Sequence, residues 1–246
     1  MVVDVLASSS CGNAYIFTDK ENSQLLLECG IKYEKIAPHL DFEKLSCILV
    51  SHNHLWLDHS LCKDKFTDYY RVVSPESDVI GHTVSSGNWL VYPIQCYHNV
   101  ECFGYIIRNK LEHRDVIFCT DTRELPKIVD RHFDLMMLEC NYNYDKVIEN
   151  SQQGKLLNDG YKNHMALETL TQWLKVRESK PEHLMAIHMS TTGNLDKELA
   201  EKELKPYATN FYFAKKGMEI EIWYQTYLRK KTNNPNQNFM MMTGSH

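Results

Sequence analysis

Cys47-Ile48-Leu49-Val50-Ser51-His52-Asn53-His54-Leu55-Trp56-Leu57-Asp58-His59-Ser60 is the stretch from which the fold can be read. Its first four residues are apolar or small, and a short apolar run bounded by a polar loop fits a parallel or central strand. The loop then sets three histidines and an aspartate within eight residues: His52, His54, Asp58 and His59. Imidazole suits zinc, iron and manganese, and a carboxylate adds charge and hardness to such a site. A single loop histidine is usually just solvated, but this density behind a buried strand points to metal binding.

Working outward, the same grammar recurs. Strands are expected at Val2–Leu6, Tyr15–Thr18, Gln24–Leu27, Val91–Tyr97, Phe103–Arg108, Asp115–Cys119, Leu135–Leu138, His183–Ile187, Asn210–Phe213 and Glu219–Tyr224. Several end in a ligand-type residue: His98, Asp121, and His188, with Glu139 and Asn141 after the 135–138 run. A short helix is expected over Tyr33–Leu40. A second runs from an Asn163 cap to about Glu178, with Leu167, Leu170 and Leu174 at helical spacing. A third covers Leu195–Lys205 and stops at Pro206. Residues 60–90 read as polar and irregular. Strands, a ligand loop, more strands and then alternating helices and strands fit two mixed sheets face to face with helices outside, a four-layer αββα sandwich of the α/β (α+β) class. Residues 1–228 read as a single domain and 229–246 as a flexible tail.

Composition narrows the class. The 246 residues are 43% hydrophobic and 24% charged, and the net charge is −5. That balance is mildly unfavourable for gripping long nucleic acid by its phosphates alone. No charged-then-apolar segment opens the chain, and no apolar run approaches the roughly 18–20 residues of a membrane span. Eight cysteines lie scattered in apolar contexts without a C-x-x-C pair, which suits reduced core thiols in a cytoplasmic protein and not a zinc knuckle. No membrane partner is expected, and self-association into a homo-oligomer is compatible with the chain.

Five histidines and two aspartates at strand ends are enough for two adjacent metal sites, which would generate hydroxide near neutral pH and clamp a hydrolytic transition state. The pattern resembles the metallo-β-lactamase superfamily, and within it the YycJ-like (WalJ-like) branch of small phosphodiesterases and nucleases. The resemblance runs from Leu6 to about Ala200. It is carried by Leu-Ala-Ser-Ser-Ser-Cys-Gly-Asn (6–13), Leu-Leu-Leu-Glu-Cys-Gly (25–30), Cys-Thr-Asp-Thr (119–122), Leu-Glu-Cys-Asn (138–141), Asn-His-Met (163–165) and Ile-His-Met-Ser (187–190), in the family's order. It implies two divalent ions, zinc or manganese. His52, His54 and His98 would hold the first, Asp58, His59 and His188 the second, and Asp121 would bridge them. Asp58 and His164 would stand nearest the chemistry, His164 as a phosphate contact or proton donor. Glu28, Glu139 and Asn141 would support the ligands from behind.

Departures from the family are local. Its usual loop is His-x-His-x-Asp-His, whereas two more residues separate His54 from Asp58 here. Either the loop bulges at 55–57 and returns Asp58 and His59 to the metals, or the second site is lost. Glu28 stands where the family has Asp. Only residues 122–187 separate Asp121 from His188, too few for the β-CASP insertion of RNA-processing relatives. The implied function is hydrolysis of phosphodiesters by a metal-bound hydroxide, with a nuclease as the first reading. The alternatives are a cyclic-nucleotide phosphodiesterase of the kind used in phage counter-defence, and a non-catalytic binding protein with an impaired metal site. Nucleic acid or a cyclic nucleotide would be the substrate.

Overall fold

The computed structural model describes residues 1–53, 60–77, 79–155 and 159–222. His54, Asp58, His59 and the expected tail over 229–246 lie outside the described residues. One mixed sheet has the order β13-β1-β2-β3-β4-β5, built from β1 (Val2–Ser9), β2 (Gly12–Thr18), β3 (Gln24–Leu27), β4 (Leu45–Leu49), β5 (Val72–Val73) and β13 (Met218–Glu221). The other has the order β12-β11-β10-β9-β8-β7-β6. Its strands are β6 (Val84–Ser86), β7 (Trp89–Tyr97), β8 (Glu101–Asn109), β9 (Arg114–Cys119), β10 (Leu135–Glu139), β11 (His183–Ile187) and β12 (Asn210–Phe213).

Side-chain alternation with period two explains the layering. Leu25 and Leu27 of β3 face Tyr105, Phe118 and Met137 of the second sheet across one shared core, together with Tyr15, Phe17 and Trp89. The intervening residues face outward. Leu26 and Ile48 meet α1 (Tyr33–Ile36) and α2 (Asp64–Thr67) through Ile36 and Phe66. On the opposite side Ile117, Met136, Leu138 and Leu184 meet Leu167, Leu170 and Leu174 of α4 (Leu167–Lys175), and Ala200 and Leu204 of α5 (Lys197–Leu204). The expected four-layer sandwich is therefore present.

The two sheets are tied at the edge that carries the ligand loop. The Phe103 N–H donates to the Ser51 carbonyl at 2.7 Å, and the buried Tyr105 hydroxyl donates to the Val50 carbonyl at 2.6 Å. Strands β9, β10 and β11 run parallel, in the register Cys119↔Leu138 and Glu139↔Ile187. Strand β7 shares their direction because it is two antiparallel steps from β9. Their C-terminal ends thus gather on one rim, where open α/β sheets place their ligands.

Some element boundaries differ from expectation. Helix α4 begins at Leu167, not Asn163, because Asp159–Asn163 forms a separate 3-10 turn and Ala166 occupies the cap position. A helix with no counterpart in the sequence reading, α3 (Tyr144–Gln152), follows β10; it buries only Val147 and Asn150, too little for an apolar stripe. Between residues 60 and 90 lie α2, β5, β6 and a 3-10 turn at Pro75–Ser77.

Candidate metal centre

Along that rim, Asp121 follows β9, Glu139 ends β10, His188 follows β11, and His164 follows the 3-10 turn. One ligand-type atom from each of these four lies within 4.8 Å of the others. His188 Nε2 and His164 Nδ1 each stand 3.0 Å from Asp121 Oδ1, and His164 Nδ1 is 2.7 Å from Glu139 Oε1. His52 joins from β4, with Nε2 4.0 Å from Asp121 Oδ2. His98 follows β7, its ring centroid 5.1 Å from that of His52 and 5.7 Å from that of His164. His52, Asp121, Glu139 and His188 are almost wholly buried.

Backbone conformation pays tribute to this convergence. Asp121 (φ 45°), His188 (φ 50°) and Glu28 (φ 64°) all adopt the left-handed region that residues with side chains seldom enter. Such conformations cost about 1–3 kcal/mol each and persist where surrounding contacts over-determine them. Here the surrounding contacts are visible. Asn141 Nδ2 donates to the His188 carbonyl at 2.9 Å, and the His188 N–H donates to Ser8 Oγ at 3.2 Å. Glu28 Oε1 accepts the Ser51 N–H at 3.0 Å, and Ser51 Oγ stands 2.9 Å from His52 Nδ1. Glu28 thus reaches the His52 ring through Ser51. Glu139 uses its two oxygens differently: Oε1 holds His164 while Oε2 accepts the Thr122 N–H at 2.8 Å, next to Asp121.

The outward nitrogen of each histidine sets its tautomer. His98 Nδ1 lies 3.1 Å from the Asn163 carbonyl, which can only accept, so the proton sits on Nδ1 and Nε2 carries the lone pair. Burial lowers the His98 pKa, against the pull of Asp121, and keeps the ring neutral as a ligand must be. Asn13 Nδ2 donates to the Ser9 carbonyl at 3.1 Å and to His188 Nδ1 at 2.8 Å, which places the His188 proton on Nε2 toward Asp121. His164 behaves otherwise. Burial alone would lower its pKa, but the Glu139 charge and hydrogen bonds to Asp121 and Glu139 overcome burial and raise it to about 11. It is an imidazolium clasped by two carboxylates.

The donor set fits a divalent transition metal: imidazole nitrogens with carboxylate oxygens, buried, and each backed by an outer partner. His52, His98, Asp121 and His188, named from the sequence, are brought together, with His164 and Glu139 among them. Asn13, Ser51 and Asn163 act behind these residues; the sequence offered them as part of the 6–13 motif, the opening stretch and a helix cap, not as partners of the histidines. Asn13 stands inside the 6–13 motif, the one signal by which it was findable.

No family model matches the sequence, and no curated protein matches it. Solved structures do. The chain is similar to the metallo-β-lactamase fold protein YhfI from Bacillus subtilis, with TM-score 0.60, 16% identity, and 89% of this chain and 98% of that one covered. It is similar to the short form of human tRNase Z, with TM-score 0.58, 13% identity, and 91% and 100% covered. It is also similar to zinc-bound PqqB from Methylobacterium extorquens, with TM-score 0.65, 11% identity, and 90% and 100% covered. Two face-to-face mixed sheets, their ligand-bearing strand ends on one rim and these three likenesses together establish that this chain has the metallo-β-lactamase fold.

Proposed function

We propose that the protein is a metal-dependent phosphodiesterase of the YycJ-like kind, acting on nucleic acid as a nuclease. The observation that supports this most is the convergence of Asp121, Glu139, His164 and His188 within 4.8 Å, with His52 and His98 beside them. His52, His98, Asp121 and His188 would hold the ions, zinc or manganese, with His54, Asp58 and His59 completing the set. When bound, such ions supply Lewis acidity and activate water near neutral pH.

The chain's own residues supply the rest. His164 carries a positive charge at the rim, its side chain one-fifth exposed. Its Nδ1 is held by Glu139 and Asp121, so its Nε2–H is the group left to meet a phosphate oxygen or to protonate the leaving alkoxide. Glu139 keeps that ring charged and in place. Similarity to a tRNase Z favours a phosphodiester substrate, and the net charge of −5 gives some weight to a small cyclic nucleotide as the second reading.

Bis-p-nitrophenyl phosphate, offered with manganese or zinc, tests the chemistry. Release of nitrophenol that is lost in Asp121→Asn supports the proposal, and no release with either metal overturns it. Labelled single-stranded and duplex DNA, set beside a cyclic nucleotide, then choose between the two substrates. Intact DNA with consumed cyclic nucleotide sinks the nuclease reading.

A further inference from the structure

Cys29 and Cys62 meet at the foot of the histidine loop. Cys29 directly follows β3 and the Glu28 that reaches His52, and it is fully buried. Cys62 lies two residues past Ser60, whose hydroxyl donates to Asn53 Oδ1 at 2.8 Å and so joins the two ends of the loop. The Cys62 N–H donates to the Cys29 carbonyl at 3.2 Å, and the Cys62 thiol reaches the same oxygen at 3.4 Å. Both side chains belong to one buried cluster with Leu26, Ile48 and Phe66. Through that backbone hydrogen bond the two Cα atoms are at most about 7 Å apart, which reaches the upper limit for bridging.

Position makes the pair more than two core thiols. On one side of Cys29, Glu28 holds the Ser51 N–H next to His52. On the other, the Gly30 N–H donates to the Asn13 carbonyl at 2.9 Å, and the Asn13 side chain holds His188. A bond from Cys29 to Cys62 would link the strand end that sets both histidines to the far foot of the loop between them.

We propose that Cys29 and Cys62 form a reversible oxidation site, converted to a disulfide by a small-molecule disulfide such as oxidised glutathione. Cys62, 6% exposed against 0% for Cys29, is the point of attack. Its sulfur displaces one glutathione thiol and forms a mixed disulfide; the Cys29 sulfur then displaces the second. Two protein thiols and one glutathione disulfide become one protein disulfide and two glutathione thiols, so atoms and electrons balance.

The folded full-length protein is incubated with oxidised glutathione, quenched in acid, alkylated in denaturant and mapped by mass spectrometry. The expected result is a linked Cys29–Cys62 peptide pair, with both thiols lost together and both recovered after reduction. Cys62→Ser, a substitution near the surface, should leave Cys29 alkylatable while Cys11, the exposed thiol, still takes glutathione. Cys11 reporting oxidation while Cys29 and Cys62 stay fully alkylatable overturns the proposal. So does a bridge from Cys96 to Cys102, its cross-strand partner, or to Cys119, formed with Cys29 and Cys62 still free. The mapping needs no metal and no turnover, so its outcome is separate from that of the proposed activity.

Discussion

His164 does not behave as an ordinary histidine. Its pKa is raised from 6.5 to about 11 by the Glu139 and Asp121 carboxylates against the opposing effect of burial. A raised folded-state value means that its stabilising contribution is full below pH 6.5 and is lost as pH rises toward 11. In chelator-treated protein, denaturant midpoints are expected to fall across that window, and His164→Gln should flatten the fall. An unchanged slope in the variant would show that His164 is not held as an imidazolium. Asn13 offers the complementary test. It holds His188 from behind, and outer partners of this kind are worth roughly 10–100-fold in metal affinity. Asn13→Ala should weaken metal binding by about that factor, read by competition with a chromogenic chelator. At this scale the sequence was legible where the side chain itself bears the chemistry, as with His98 and Asp121. It was mute for Asn13 and Ser51, whose roles depend on which ring nitrogen they meet.

Elements place those residues, and their packing is testable without metal. Gly104 on β8 lies opposite Cys119, and a Cβ there would stand 2.8 Å from Cys119 Sγ, 2.9 Å from the Phe118 carbonyl oxygen and 3.0 Å from Cys96 Sγ. Gly104→Ala should destabilise the fold by about 1–3 kcal/mol through overpacking, visible in urea titration. On the outer face, Leu170 of α4 is fully buried against the second sheet. Leu170→Ala is expected to cost about 2–5 kcal/mol by the same measurement. The strands were readable because β3, β9 and β10 are apolar on both faces, as strands sandwiched between a helix layer and another sheet must be. Helix α3 was not readable, since it rests on the domain with little more than Val147. The Asn163 cap was misplaced because an isolated 3-10 turn delivers His164 before α4 starts. No local pattern distinguishes that turn from a first helical turn.

For the molecule as a whole, two sheets locked at the β4–β8 edge bring residues from β4, β7, β9, β10 and β11 to one rim. No single stretch contains the site. The signal in the sequence was ligand-type residues at the ends of several buried strands, since parallel strands of one sheet carry their C-terminal ends to one rim. Distances and tautomers required the fold. Among the described residues no helix is long and apolar enough to cross a membrane. Because ligand histidines bind metal as neutral imidazoles, metal uptake should strengthen as pH rises. The central claim, that this rim is a metal centre, is tested most directly by elemental analysis of the reconstituted, dialysed protein. The account predicts about two transition-metal ions per chain, falling sharply in Asp121→Asn. Less than one ion per chain, or an equal content in the variant, would contradict it.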